Sequence, residues 1–134
     1  MHLIKTQPEA IFQALSDPIR IRVIRLLNVT DEEACLCELV DSLLEPEYKL
    51  SRHIKILKSS GLLTARKDGR WVYHRLVSKV SYLDSLHETI SLLPDADGFF
   101  KKDLSNFKKR IRMREDGRCQ VGILSSDLSE KAKG

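Results

Sequence analysis

Long apolar runs are absent from this sequence, and aromatic residues make up only 6% of it. No stretch approaches the ~20 apolar residues that a membrane-spanning helix needs. The N-terminus also lacks a basic region followed by an apolar stretch of signal-peptide length. These absences predict a cytoplasmic protein that does not contact a membrane.

Cysteine is scarce as well, with three residues in the chain. Three is an odd number and too few for a disulfide scaffold, and cysteines in a reducing compartment are seldom oxidised. The sequence has no Cys-x-x-Cys motif beside a strand-helix-strand pattern and no glycine-rich phosphate loop, so it gives little support to a thiol enzyme. The three cysteines are therefore interpreted as candidates for metal binding or other thiolate chemistry.

The remaining composition fits one folded domain. The chain has 134 residues, of which 42% are hydrophobic and 31% are charged. A soluble domain typically has about 100 to 200 residues. The apolar fraction is sufficient for a modest core, so we expect one compact unit.

Positive charge is concentrated in one segment of the chain. Residues 1–48 carry four lysine or arginine residues against nine acidic ones, whereas residues 49–75 carry eight against one, a local net charge of +7. A basic patch on an acidic body is typical of proteins that bind the phosphate backbone of nucleic acid. A solvated basic face is the alternative interpretation.

Apolar side chains spaced three and four residues apart predict six helices. We expect them over residues 7–16, 18–28, 34–44, 50–60, about 82–93 and 99–112. Asp17 and Pro18 suit the cap and the first turn of the second helix. On the sixth helix, Arg110 and several lysines are expected on the face opposite the apolar stripe.

A β-hairpin is predicted directly after the fourth helix. Asp68-Gly69 separates two β-prone segments, 62–67 and 70–76, and this dipeptide favours a hairpin turn because its central positions need positive φ. The predicted fold is therefore mainly α with a two-stranded β wing (α+β), a winged helix-turn-helix. In such a fold the fourth helix enters the major groove of DNA.

The fourth helix has an apolar and a polar side. Leu50, Ile54 and Leu57 hold it to the body, so the polar residues between them project outward. Arginine suits a guanine edge and lysine suits phosphate groups. The candidate DNA contacts on this helix and at the hairpin tip are Lys49, Ser51, Arg52, His53, Lys55, Lys58, Lys67 and Arg70. For His74, in the second hairpin strand, we expect contact with DNA or solvent.

The motif Leu50-Ser51-Arg52-His53, the dipeptide Gly61-Leu62 and the motif Lys67-Asp68-Gly69-Arg70 resemble the winged-helix core of the ArsR/SmtB metal-sensing repressors. The likeness extends over roughly residues 7–93. It implies a homodimer, built from helices one and five, that binds palindromic operator double-stranded DNA.

We expect two functional regions within this chain. Residues 1–93 are predicted to form the winged helix-turn-helix domain for DNA binding and dimerisation. Residues 94–134 are predicted to form a C-terminal helix and a flexible tail that carries Cys119.

Cys35 and Cys37 open the predicted third helix. Residues two apart on a helix point about 200° away from each other, so their sulfur atoms do not easily share a small ion. We therefore expect ligand binding to distort the first turn and to reposition the fourth helix. The helix dipole favours the thiolate form here, whereas the acidic run 31–33 opposes it, and both outcomes are open.

The stretch Cys35-Leu36-Cys37-Glu38-Leu39 resembles the cysteine-containing helix of the arsenic-responsive members of the family. The resemblance implies that the thiolates bind As(III) and that the repressor then leaves its operator. One family arrangement has a third cysteine three residues after the second, where this chain has Val40. Because trivalent arsenic favours three sulfurs, Cys119 of the same or the partner subunit is the candidate third ligand. The alternatives are that Cys119 is a free surface thiol and that two thiolates bind the ion with a small outer ligand.

The same cysteines suit other ligands and other chemistry. Sb(III), Cd(II) and Pb(II) are thiophilic, and Cys35 and Cys37 are candidates for a redox switch that closes into a disulfide. A thiol-dependent enzyme such as an arsenate reductase is the alternative from another class. Zinc sensing at the fifth helix needs more ligands than Asp84 and His87 supply, so His87 is expected at the surface or at an interface.

Overall fold

The helices and strands follow the predicted order, with one strand added. A computed structural model describes residues 7–125. Its elements are α1 (Pro8–Ala14), α2 (Pro18–Thr30), β1 (Ala34–Cys35), α3 (Leu36–Leu43), α4 (Glu47–Ser59), β2 (Leu63–Asp68), β3 (Trp71–Leu76), α5 (Ser81–Leu92) and α6 (Phe99–Ile111). Residues 1–6 and 126–134, which belong to the two predicted regions, lie outside the described part.

Helix α2 begins where the sequence predicts. The backbone of Asp17 is extended, and its Oδ1 accepts hydrogen bonds from the amides of Ile19 at 2.8 Å and Arg20 at 3.3 Å. These bonds satisfy amide groups that the first helical turn leaves without intrahelical partners. Pro18 takes the first helical position, where its missing N–H costs no hydrogen bond.

The turn between α3 and α4 is shorter than predicted. Leu44, with φ 56°, ends α3, and α4 begins at Glu47, three residues before the predicted start. Pro46 caps α4, because its fixed φ suits the start of a helix. A three-residue turn between two helices is the spacing of a helix-turn-helix.

The predicted hairpin forms, but its loop lies one residue further along the chain. Asp68 is the last residue of β2 and pairs with Trp71, so Gly69 and Arg70 make the loop. The prediction that Asp68 belongs to the turn was wrong, because Gly69 alone supplies the positive φ, of 62°. Glycine at the first loop position is typical of a type II′ turn.

Strand β1 is the element that the sequence did not predict. Its two residues pair with β3, Ala34 with His74 and Cys35 with Tyr73, and the sheet order is β1-β3-β2. The predicted start of α3 at residue 34 was wrong for this reason, since Ala34 and Cys35 extend the sheet of the wing. The wing and the start of α3 are thereby joined.

One hydrophobic core includes side chains of all six helices. Leu39 of α3, Leu57 of α4 and Phe107 of α6 are fully buried in it. Arg22 and Asp103 add a buried ion pair of 2.8 Å between α2 and α6. Helix α6 therefore packs into the common core. Among residues 7–125, no helix has the length and apolar character needed to cross a membrane.

Candidate functional site

Three cysteine sulfurs lie together in the interior of the protein. The Sγ atoms of Cys35 and Cys37 are 2.9 Å apart, those of Cys35 and Cys119 are 3.3 Å apart, and those of Cys37 and Cys119 are 3.5 Å apart. Their residues are 2%, 7% and 1% exposed, in that order of number. We call these three residues the sulfur site. Within the described part of the chain, it is the one group of three or more potential metal ligands.

The conformation of Cys35 explains why the first two sulfurs meet. Cys35 is not helical: its φ of −84° and ψ of 164° are extended, and it precedes the first residue of α3. The 200° separation predicted for a helical pair therefore does not apply. The reason for expecting a ligand to unwind α3 is thereby removed, because the two sulfurs are already neighbours at the strand-helix junction.

Cys119 reaches the site from a segment that folds back after α6. The backbone amide of Cys119 donates a 2.7 Å hydrogen bond to the hydroxyl oxygen of Tyr73. Tyr73 is fully buried on β3 and pairs with Cys35 in the sheet. The structure thus brings all three sequence-predicted cysteines of one chain together, beside the wing.

A buried carboxylate lies next to the sulfur site. Glu38 is fully buried, and its Oε1 accepts a 3.1 Å hydrogen bond from the amide of Cys35. Arg114 compensates its charge, with 2.7 Å between Nε and Glu38 Oε2. Burial of a carboxylate is tolerated when it is paired and hydrogen-bonded in this way.

The surroundings of Cys35 and Cys119 favour the protonated form of these two thiols. The hydrogen bond with Cys37, together with burial and the charge of Glu38, raises the pKa of the Cys35 thiol. Burial, followed by the neighbouring Cys35, raises the pKa of the Cys119 thiol. The helix dipole, which favours the thiolate, therefore does not determine the state of Cys35. Burial and neighbouring groups, which favour the thiol, outweigh it.

The sulfur spacing suits a three-coordinate, pyramidal ligand. For bonds of about 2.3 Å, as in zinc–thiolate sites, two sulfurs at right angles lie about 3.3 Å apart and two at the tetrahedral angle about 3.8 Å apart. All three separations are below the tetrahedral value, two of them are at or near the right-angle value, and the 2.9 Å between Cys35 and Cys37 is below both. No described cysteine, histidine or carboxylate joins the group as a fourth ligand. The donor set therefore matches an ion that binds three sulfurs.

The outer face of α4 and the hairpin tip carry most of the predicted DNA contacts. Leu50, Ile54 and Leu57 are buried as expected. The predicted contacts that are exposed are Ser51, Arg52, Lys55, Lys58, Lys67 and Arg70. Lys49 is partly exposed, with its Nζ 3.8 Å from Glu45.

His53 does not belong to this outer face. It is 6% exposed, and its Nδ1 lies 2.9 Å from Arg20 Nη1. Burial and the charges of Arg20 and Arg52 lower the pKa of His53 despite the opposing carboxylate of Asp17, so the neutral ring accepts the bond from Arg20. The predicted DNA contact was wrong, because position 53 lies one turn from Leu50 on the inner side of α4.

Two other histidines are also buried where the sequence suggested exposure. His74 is 7% exposed, and burial, with a smaller effect of Lys58, lowers its pKa to about 4. His87 is 2% exposed, and its Nε2 lies 3.1 Å from the carbonyl oxygen of Val77. Neither histidine is placed at the surface as predicted, because each faces the packed side of its strand or helix.

Sequence reasoning missed the arginines around the sulfur site. Arg110 was predicted on the outer face of α6 but is 4% exposed, because the segment after α6 folds back over it. Arg114 contacts Glu38 across 76 residues of sequence. The local pattern contains no signal for either contact, since both depend on the path of the chain beyond α6.

Comparison with known proteins identifies relatives of this chain. Residues 17–65 match the model of the bacterial regulatory protein, arsR family. An uncharacterized HTH-type transcriptional regulator of Methanocaldococcus jannaschii is 34% identical over 85 residues, which cover 63% of this chain and 89% of that protein.

A second relative and one solved structure extend the comparison. The arsenical resistance operon repressor of Escherichia coli is 41% identical over 69 residues, which cover 52% of this chain. The chain spans 58% of the length of that repressor. HlyU from Vibrio cholerae aligns with a TM-score of 0.52 and 25% identity, over 60% of this chain and 88% of that chain. The predicted winged helix-turn-helix fold class is confirmed.

Proposed function

The chain belongs to the arsR family of bacterial regulatory proteins, a family of transcriptional regulators and not of enzymes, and we propose that it is a repressor released from DNA by a thiophilic ligand. The repressor binds operator double-stranded DNA as a homodimer. It dissociates when As(III), supplied as arsenite, is bound by Cys35, Cys37 and Cys119. The sequence also suggested a thiol-dependent enzyme such as an arsenate reductase. Membership of this family of regulators does not support that alternative.

One observation carries the choice of ligand: three buried, free cysteine sulfurs of one chain lie within 3.5 Å of each other. Arsenous acid is a neutral molecule with three hydroxyl groups on arsenic. Each hydroxyl leaves as water with one thiol proton, and one arsenic–sulfur bond replaces it. The exchange introduces no net charge into the buried site, which favours it over the entry of a divalent cation.

The location of the sulfur site supports coupling to DNA. Cys35 pairs with the wing strand β3, and Cys37 belongs to α3, which leads through the short turn into α4. Arg118, next to Cys119, has its Nη1 3.4 Å from Asp68 Oδ1 at the end of β2. Bonds to all three sulfurs thus fix the segment after α6 against the wing and the helix-turn-helix together. Allosteric coupling typically amounts to about 1–3 kcal/mol, and release needs no unwinding of α3.

An apolar groove between α1 and α5 supports the homodimer. Phe12 is 62% exposed and Tyr82 is 47% exposed, and both line this groove with Leu86. Exposed apolar surface of this kind is typical of protein contact sites. A two-fold pair formed there presents two α4 helices to a palindrome, which is how dimeric helix-turn-helix proteins bind.

We propose the same two functional regions that the sequence predicts. Residues 1–93 carry DNA binding and dimerisation, and residues 94–134 supply α6 and the third sulfur. Because α6 shares the core with α2 and α3, the two regions are expected to unfold together.

Other inducers on the same scaffold are Sb(III), Pb(II), Cd(II) and thiol oxidation. The first two share the preference of As(III) for a pyramidal set of sulfurs, and all three metals are soft enough for thiolates. Oxidation is favoured by the 2.9 Å between the sulfurs of Cys35 and Cys37. A two-electron oxidant such as a peroxide would join those sulfurs and release both thiol protons to its own oxygen atoms.

A DNA-release experiment tests the proposal. Fluorescence anisotropy follows the chain on promoter DNA from upstream of its own gene, with arsenite, antimonite, Cd(II), Pb(II) or hydrogen peroxide added in separate titrations. We expect arsenite to release the wild type, and Cys35→Ser/Cys37→Ser to stay bound. Cys119→Ser should lose most of its response to arsenite but keep any response to peroxide.

A variant with a thiol away from the sulfur site serves as the matched control. Ser105→Cys places an additional thiol on the exposed side of α6, so its arsenite response should equal that of the wild type. Release of the double serine variant at the wild-type arsenite concentration would overturn the proposal.

A further inference from the structure

Asp41 of α3 and Arg110 of α6 form a buried ion pair close to the sulfur site. Arg110 Nε lies 2.7 Å from Asp41 Oδ2, and the two side chains are 4% and 7% exposed. Although burial acts in the opposite direction, the bonds from Arg110 and from two backbone amides hold the pKa of the Asp41 carboxyl below its usual value. The pair is therefore ionised at neutral pH.

Both members of the pair bind the backbone of the same segment. Asp41 accepts hydrogen bonds from the amides of Leu124 at 3.0 Å and Ser125 at 2.9 Å. The Nη2 of Arg110 donates to the carbonyl oxygens of Val121 at 2.9 Å and Gly122 at 2.8 Å. We call Asp41 and Arg110 the clamp, and residues 119–125 the return segment. The clamp thus binds four backbone groups of the return segment.

The return segment depends on these bonds because it has no regular structure. It belongs to no helix or strand of the described chain, so its backbone groups lack the mutual hydrogen bonds of such elements. Its other fixed points are the amide of Cys119, which is bonded to Tyr73, and the side chains of Cys119 and Ile123, which pack in or against the buried clusters. Segments held by few bonds open locally at a lower free energy than the core does.

The clamp and the sulfurs share one backbone carbonyl. The oxygen of Val121 accepts from Arg110, and it also lies 3.3 Å from Cys119 Sγ and 3.6 Å from Cys37 Sγ. The position of Cys119 in the sulfur site is thus tied to the position of Arg110 through two residues of backbone.

We propose that the clamp determines how many sulfurs the protein offers to its ligand. With the clamp closed, Cys119 completes a three-sulfur site. With the clamp open, the return segment detaches and leaves the pair of Cys35 and Cys37. Asp41 and Arg110 are positioning residues in this scheme, since they act through the return segment and do not bind the ligand. The identity of the ligand in this inference rests on the proposed function. The closure of the clamp over Cys119 does not depend on that function.

The closure is tested first without any ligand, in the full-length chain. The measurement is the rate at which N-ethylmaleimide alkylates Cys119, read by mass spectrometry of the peptides. Asp41→Ala leaves the guanidinium of Arg110 buried without its partner, which threatens folding. Asp41→Ala/Arg110→Met removes both charges and keeps most of the volume, so this double variant decides the outcome if the single one does not fold.

The expected result is faster alkylation of Cys119 by roughly tenfold or more in the folded clamp variants, because charge-assisted hydrogen bonds to the segment are lost. Lys108→Met is the matched control: Lys108 is exposed on α6, and its substitution should leave the rate unchanged. An unchanged rate at Cys119 in the folded double variant would overturn the proposal.

A second readout separates sulfur number from general loosening of the protein. Inorganic arsenite takes three sulfurs, whereas phenylarsine oxide has one position occupied by carbon and takes two. The double variant should bind arsenite about tenfold more weakly, a difference of about 1.4 kcal/mol, and phenylarsine oxide as the wild type does. Equal losses for both arsenicals would contradict the clamp. If the wild type bound neither, the proposed function would fail, while the alkylation rates would still test the closure.

Discussion

The hydroxyl oxygen of Tyr73 accepts a 2.7 Å hydrogen bond from the backbone amide of Cys119 and so joins the wing to the third sulfur. Tyr73 also pairs with Cys35 through the sheet. Strand β3 therefore contacts the sulfur site through both its backbone and a side chain. This hydrogen bond is the direct contact through which a displacement of Cys119 would act on the wing.

Substitution Tyr73→Phe tests this connection. It removes the acceptor and leaves the amide of Cys119 buried without a partner, which costs about 1–3 kcal/mol. We expect the free energy of unfolding to fall by that amount and the arsenite response to weaken. Urea denaturation and DNA-release titration measure the two effects. Tyr48→Phe, at a position 41% exposed, is the control and should change stability little.

The pH dependence of ligand binding distinguishes arsenite from divalent cations. Because its hydrogen bond with Cys37 and burial raise the pKa of the Cys35 thiol, a cation must displace thiol protons into solution. Affinity for Cd(II) should therefore rise steeply from pH 6 to pH 8, by up to about tenfold per pH unit for each proton displaced. Affinity for arsenite should stay nearly constant, since its hydroxyl groups take up the protons as water. Competitive titration at several pH values measures both slopes, and equal slopes would contradict this chemistry.

His74 should make the fold sensitive to acid. Burial lowers its pKa to about 4, against about 6.5 for an unfolded histidine. The unfolded chain then binds more protons between these values. The stability due to the neutral ring is thus fully present above about pH 6.5 and is lost as the pH falls through about 4.

Urea unfolding at pH 7 and pH 5 checks this prediction. The wild type should lose about 2 kcal/mol between the two pH values through His74. Phenylalanine does not titrate, so the loss of unfolding free energy in His74→Phe should be smaller than that of the wild type by about 2 kcal/mol. Parallel losses in both proteins would show that the ring is already solvated in the folded state.

Arg52 and His53 are neighbours in sequence with opposite expected roles. Arg52 is exposed on α4, so Arg52→Ala should weaken operator binding by about 1–3 kcal/mol and leave stability unchanged. His53 is buried against Arg20, so His53→Ala should lower the free energy of unfolding instead. Anisotropy with operator DNA and urea denaturation measure the two quantities. Loss of DNA affinity in His53→Ala without loss of stability would reverse the assignment.

Local patterns predicted the elements of the fold well. The cap at Asp17 and the buried face of α4 depend on residues within one or two turns, and both were read correctly from their spacing. The Gly69 turn was predicted to within one residue. Such predictions hold in the folded protein because caps, turns and helix faces depend on residues that are close in sequence.

Except for Cys119, the features that depend on distant parts of the chain were not predicted. Strand β1 forms because β3 lies beside it, and a two-residue strand has no periodicity of its own. The closeness of Cys35 and Cys37 follows from that strand, so the helical argument gave the wrong geometry. The identity of Cys119 as a neighbour was inferred from ligand number, whereas the clamp that holds it became visible only in three dimensions.

In the proposed function, one chain binds arsenic through three sulfurs. X-ray absorption at the arsenic edge of the arsenite-loaded protein counts those sulfurs directly. We expect three sulfur neighbours and no oxygen in the wild type, and two sulfurs with one oxygen in Cys119→Ser. Two sulfurs in the wild type, or the same count in both proteins, would contradict it.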